Sequence, residues 1–444
     1  ADTVGNMYVP RYRACDVIMM MLVAADLHPP QRSTLYTQRH TTTHATMRTF
    51  QLNFVGDVML GRLVDQLFPQ HVDNPREARI VASFVASYPQ LRQYSHRTPW
   101  GSTLPLFHAA DLNLINLETA VTTQSTLWPH KAFNYRMHPA NVAALREARV
   151  DYASLANNHT LDFGTDGLVE TVWALRDARI AFAGAGERTD EALRPAVLSL
   201  PRTPRPPPRA GGEHGRRDPG SLTVHVFAAS DHPRDWAVVP TFHLIDYSPA
   251  SRAKLKALLT GQKKNDDGND RPPALKVFSV HWGPNYAWRP DERTIRSLAH
   301  FLIDECGVDI VHGHSSHHVQ GVEIYRGKLI LYGCGDFIDD YALNAEYRND
   351  LGAVWRVTVR EREIPTGKKG EREGGQETVT VLALQRLEIF PTRIEKFQVN
   401  LLPKEDVDHV WVKETVTRLS RDLGTTVREE LGEQGQLIVD LEGN

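Results

Sequence analysis

Six short segments place carboxylate, amide and imidazole side chains directly after apolar runs. They carry Asp57 in FVGDVML (54–60), Glu118 in NLINLET (113–119) and Asn157, Asn158 and His159 in SLANNH (154–159). They continue with His281 in VFSVHWG (277–283), four histidines in VHGHSSHH (311–318) and Asp336 in GCGDF (333–337). Carboxylate and amide oxygens favour hard divalent ions, and imidazole favours Zn, Fe, Ni or Mn. If the six ends share one volume, they suit one or two divalent cations able to activate water and clamp a phosphoryl or carbonyl oxygen. Buried polar groups left without a partner would each cost on the order of 1–3 kcal/mol, and a cation would remove that cost. Taken singly, each residue has a plainer reading. Asp57 could cap a helix, Glu118 could pair with an arginine, Asn158 could sit in a left-handed turn, and a lone histidine is more often structural. The four histidines His312, His314, His317 and His318 cannot all be ligands, and His312 or His318 is expected to point away.

What could bring these ends together is an α/β sheet. Short apolar strands at 50–60, 111–119, 151–159, 222–230, 275–283, 308–314 and 327–337 alternate with amphipathic helices such as 166–180 and 291–306. That alternation marks an α/β fold, and in open α/β sheets ligands bind beyond the carboxyl ends of the strands. After residue 350 come longer strand-like runs and a final helix, read as 346–444 completing the same body. Residues 1–46 show no clear period, and Met47 stands just before the first convincing strand. They are read as a poorly ordered appendage to a catalytic domain over 47–345. The polar stretches 201–220, 261–273 and 366–377 read as surface loops.

Composition narrows the classes. With 51 Lys plus Arg against 54 Asp plus Glu the net charge is −3, so a dedicated nucleic-acid binder is not expected. The longest apolar run, Val17 to Ala25, has nine residues. That is short of the ~18 a membrane helix needs, and its flanking acids weaken a signal-peptide reading. Three cysteines make no disulfide framework and fit a reducing, cytoplasmic setting.

In this order the segments resemble the bacterial capsule-synthesis CapA family, named also for poly-γ-glutamate synthesis. The resemblance runs through FVGDVMLGR (54–62), DLNLINLETAVT (111–122), KAFNYRMHP (131–139), ASLANNHTLDFGTDGLVET (153–171), VHWGPNY (280–286) and GHSSHHVQGVEIYRGKLILYGCGDFIDD (313–340). It implies a four-layer α/β/β/α sandwich of the calcineurin-like metallophosphoesterase type. It implies Asp57, Glu118, Asn158, His281, His314 and His317 as ligands of one or two divalent ions (Mn, Fe, Zn, Mg or Ca), with Glu118 in the bridging place. His159 would be the acid that protonates a leaving group. Lys131, Arg136 and Arg62 would hold an anionic substrate, although a surface or structural pairing fits the first two as well. Two departures stand out. GHSSHH spaces its histidines three apart where the family commonly has two, and Asp336 replaces the usual Asn. Asp336 could be a further ligand or only a hydrogen-bond partner.

The expected activity is metal-dependent hydrolysis of a phosphoester or a γ-glutamyl amide in an anionic small molecule or polymer. The rival is a non-catalytic accessory protein that binds an anionic polymer in the same pocket. A nucleic-acid phosphodiesterase is a third, less favoured class.

Overall fold

The structure, a computed structural model, describes residues 47–200, 221–261, 272–369 and 376–442. The stretches read as an appendage (1–46) and as a loop (201–220), and most of 261–273, lie outside the described residues. In chain order the first half holds β1 (Thr49–Val58), α1 (Arg62–Asp65), α2 (Pro75–Ser87), α3 (Leu104–Ala109), β2 (Leu112–Leu117), β3 (Ala120–Val121), β4 (Arg136–Met137), α4 (Val142–Glu147) and β5 (Tyr152–Ser154). There follow α5 (Gly164–Ala178), β6 (Ala181–Ala183), α6 (Thr189–Leu193), β7 (Ala196–Leu200), β8 (Leu222–Ser230), α7 (Pro249–Thr260) and β9 (Leu275–His281). Then come α8 (Ser297–Asp304), β10 (Ile310–His314), β11 (Val322–Tyr325), β12 (Lys328–Leu331) and β13 (Asp336–Ile338). The chain ends on β14 (Leu351–Lys369), β15 (Gln376–Glu395), β16 (Gln398–Leu401), α9 (Val407–Asp422) and β17 (Leu437–Asp440).

Two large sheets face each other. Among the described residues one has nine strands along β16-β15-β14-β1-β2-β5-β6, with β13 on β1 and β17 on β15; the other has six, β11-β12-β10-β9-β8-β7. Strand alternation explains the layers. Phe50, Leu52 and Phe54 of β1 point to one side, where they meet Leu114, Val226, Val277, Ile310 and Trp355 in a core between the sheets. Val55 and Ile115 point to the other side, against Leu145, Leu168 and Leu175 of α4 and α5. On the outer face of the six-stranded sheet, Phe278 and Val280 pack on Leu255, Leu298 and Leu302 of α7 and α8. The result is the α/β/β/α sandwich. Each fully buried Leu, Val or Phe contributes roughly 1.5–3 kcal/mol.

Several details differ from the sequence reading. The strand read as ending at Asp336 stops at Leu331 in the six-stranded sheet. The chain then crosses between sheets, and Asp336 opens β13, which pairs with β1 in parallel. Gly335 makes the crossing with φ +80°, a conformation that glycine adopts without strain. Of the polar stretch 366–377, residues 366–369 and 376–377 belong to a long hairpin, and 370–375 lie outside the described residues. β14 reaches Lys369, β15 starts at Gln376, and the two residues are register partners, so ladder pairing overrides the loop-like composition. No helix of the described residues is long and apolar enough to cross a membrane. Cys306 and Cys334 are buried free thiols.

Candidate metal centre

The parallel strands deliver their carboxyl ends to one rim. Asp57 comes from the end of β1, where the register with β2 shifts between Phe54 and Asp57 and re-aims the strand tip. Glu118 follows β2 directly. His281 and His314 close β9 and β10 and are register partners. His317 lies in the loop after β10, where Ser315 (φ +101°) and His317 (φ +62°) both hold left-handed backbone. Such conformations cost of order 1–3 kcal/mol each and persist where the surroundings over-determine them. The widened HSSH spacing is thus taken up by strained backbone that swings His317 onto the acids. His317 Nδ1 stands 2.8 Å from Asp336 Oδ1 and 3.5 Å from Asp57 Oδ2.

Two groups of three residues have ligand atoms within 4.8 Å of one another: Asp57, His281 and His314; and Asp57, His317 and Asp336. Asp57 is common to both. Glu118, expected in the bridging place, belongs to neither group; its carboxylate lies 3.7 Å from His281 Nδ1 and 3.9 Å from His159 Nε2. The Asn116 amide donates to both acids, to Asp57 Oδ1 at 2.8 Å and Glu118 Oε2 at 2.6 Å. The remaining oxygens Asp57 Oδ2, Glu118 Oε1 and Asp336 Oδ2, together with Asn158 Oδ1, are buried and accept no hydrogen bond.

Charge makes the same point. Burial raises the proton affinity of Asp57, and raises Glu118 and Asp336 well above the carboxylate range, helped in those two by the Asp57 charge. Burial holds His281 and His314 far below the ordinary imidazole range. Neutral imidazoles and crowded carboxylates with unused oxygens are the donor set a divalent cation requires. The residues present therefore fit such an ion.

His159 Nδ1 lies 2.6 Å from Asp162 Oδ2, and the Tyr135 ring stacks on the imidazole at 3.8 Å. Asp162 also accepts the Tyr135 backbone N–H at 2.6 Å and pairs with Lys131 Nζ at 2.6 Å. Burial pushes the His159 pKa down to about 4 against the opposing pull of Asp162. Of the three cations expected to meet substrate, Lys131 is held by Asp162 and by the Phe133 carbonyl at 2.7 Å. Arg136 donates to the Gln124 carbonyl and lies over the Phe163 ring, 4.7 Å from its centroid. Arg62 pairs with Asp340 at 3.4 Å and covers Tyr135, with its side chain 29% exposed. His312 and His318 belong to neither three-residue group; His312 Nε2 bonds the Val55 carbonyl and His318 Nδ1 that of Val319. The sequence reading gave no role to Asp162 or Asn116. Asp162 had a usable signal, an acid three residues after His159 in a tight turn; Asn116 had only its place at a strand end.

Fold and rim define a sandwich with an acid–imidazole centre at the strand ends. The sequence model of the family described as bacterial capsule synthesis protein PGA_cap matches residues 51–341, and the chain belongs to that family. A probable polyglutamine synthesis accessory protein of Mycobacterium tuberculosis is 34% identical over 84% of this chain and 91% of its own length. The PGA biosynthesis protein CapA of Bacillus subtilis is 24% identical over 65% of this chain and 63% of its own. A crystal structure of a Mycoplasma pneumoniae phosphatase, 12% identical, covers 76% of this chain and 94% of that one at a TM-score of 0.34. The architecture stands on the two sheets described above and not on that match.

Proposed function

We propose that the chain is a metal-dependent hydrolase acting on a phosphoester or a γ-glutamyl amide in an anionic substrate of capsule or polyglutamate synthesis. One observation carries the reading: buried Asp57 and Glu118 each keep an oxygen without a hydrogen bond, Asp57 within ligand reach of His281 and His314 and Glu118 3.7 Å from His281. Asp57, His281 and His314 would hold a divalent cation, with Glu118, Asn158 and His317 around it. When bound, such an ion acidifies water and offsets the negative charge that develops during attack. Lys131 and Tyr135 fix Asp162, and Asp162 fixes the Nδ1 side of His159. At Nδ1 His159 meets both the accepting Asp162 carboxylate at 2.6 Å and the donating Lys131 ammonium at 3.1 Å, and its Nε2 faces Glu118 at 3.9 Å. His159 would take the proton of the attacking water and return it to the leaving oxygen or nitrogen. Arg62, partly exposed and more so than Lys131, would meet the substrate's charge.

A second reading is a non-catalytic polymer-binding role, favoured by the name of the mycobacterial relative, a probable polyglutamine synthesis accessory protein. Purified protein should be assayed on phosphoesters and γ-glutamyl peptides with Mn²⁺, Zn²⁺ and Mg²⁺. The hydrolase reading expects turnover that chelator and Asp57→Asn both abolish. Tight binding of polyglutamate with no turnover under any ion would replace it with the accessory role.

A further inference from the structure

We infer that Asp336 is a cation ligand, forming with Asp57 and His317 a second seat beside that of Asp57, His281 and His314. The inference rests on reading the rim as a metal centre and adds a residue to it.

Register supplies the first argument. Asp57 and Asp336 are partners on the adjacent parallel strands β1 and β13. Partners in register send their side chains to the same side of a sheet, so two acids stand together at one strand-end edge. The approach is close because Gly56 and Gly335 precede them: a Cβ on Gly56 would lie 1.8 Å from the Gly335 oxygen. Two Gly-Asp strand ends are thus packed side by side.

The second argument is the lack of anything else to balance them. Asp336 is fully buried, and among the described residues its ion pair is with His317. Its carboxyl also meets the acid Asp339 and the Asn349 amide at hydrogen-bonding range, and neither brings a positive charge. A carboxylate placed only to orient His317 would need one oxygen. Asp336 spends Oδ1 on His317 Nδ1 at 2.8 Å and leaves Oδ2 without a hydrogen bond, as Asp57 leaves its own Oδ2.

The third argument is donor chemistry. The first seat offers two imidazoles and one carboxylate, the second two carboxylates and one imidazole. The oxygen-rich seat suits a harder ion such as Mn²⁺ or Mg²⁺, and an Asn at 336 would remove its charge.

Calorimetric titration of the chelator-stripped full chain with Mn²⁺ tests this. Wild type should bind two equivalents, Asp336→Asn should bind the second at least tenfold more weakly, and Asp57→Asn should weaken both. Unchanged stoichiometry and affinity in Asp336→Asn, or one equivalent in both proteins, would overturn the inference and leave the metal centre standing. No Mn²⁺ binding by wild type would remove the metal centre itself. Electron paramagnetic resonance of wild type loaded with two Mn²⁺ needs no variant. Ions sharing Asp57 give a spin-coupled spectrum, and two independent six-line signals would also overturn the inference.

Discussion

His159 and Asp162, three residues apart in one turn, face each other through imidazole Nδ1 and carboxylate Oδ2 at 2.6 Å. Asp162 is also where Lys131 and the Tyr135 backbone meet. One buried acid therefore anchors the Nδ1 side of His159 and ties down the 131–135 loop. Asp162→Asn keeps the shape but removes the charge. Proton transfer through a positioned histidine contributes typically 10²–10⁴-fold, so turnover should fall by about 10²-fold or more. Lys131, left without its ion-pair partner, should loosen, which limited proteolysis within 123–135 would reveal. Turnover within threefold of wild type would show that Asp162 does not orient the reacting group.

The Gly56 backbone lies against the Gly335 carbonyl so closely that any side chain collides with main chain. Overpacking a tight interior costs typically 1–3 kcal/mol, occasionally more. A clash with backbone belongs at the upper end. Gly56→Ala should lower the melting temperature and, in whatever folds, weaken divalent-ion binding, because Asp57 is the next residue. A variant with wild-type melting and metal content would mean that β1 and β13 can separate at no cost.

Much of this arrangement was legible in the sequence, for a definite reason. Apolar runs ending in Asp57, Glu118, His281 and His314 give both the strands and the polar side chains at their carboxyl ends. The four layers were expected only from the resemblance to the CapA family. Less legible was anything set by backbone torsion or by a change of sheet. The left-handed turns at Ser315 and His317 decide which histidine meets Asp57 and Asp336. The crossing after Leu331 puts Asp336 beside Asp57, and no periodicity announces it. Arg136 shows the other limit: its charge is evident in the sequence, but its engagement by the 123–124 carbonyls is a loop property.

The crowded acids make the fold sensitive to divalent ions. Asp57, Glu118 and Asp336 are buried with no Lys or Arg ion pair among the described residues. An ion that binds only the folded state stabilises it by about 2.7 kcal/mol at a hundredfold excess over its dissociation constant. Mn²⁺ or Zn²⁺ should therefore raise the melting temperature of stripped protein by a few degrees. Asp57→Asn should abolish that shift. Equal melting with and without ions across the micromolar to millimolar range would argue against a cation in the folded state.

Acid sensitivity should come in part from a histidine that belongs to neither group of candidate ligands. His243 is buried, with Nδ1 2.7 Å from the Ala228 carbonyl, and burial pushes its pKa down to about 4 from the usual 6.5. The folded state then refuses a proton that the unfolded chain accepts below about 6.5. Between roughly pH 6.5 and 4 the unfolded state binds more protons, so stability falls as pH falls through that window. At about 1.36 kcal/mol per pKa unit, this one group removes on the order of 3 kcal/mol by pH 4. His243→Gln keeps a donor for Ala228 but does not titrate. Urea unfolding of the two proteins should diverge below pH 6.5, with the variant losing less stability on acidification. Parallel curves from pH 7 to pH 4 would show that His243 gains its proton without opening the fold.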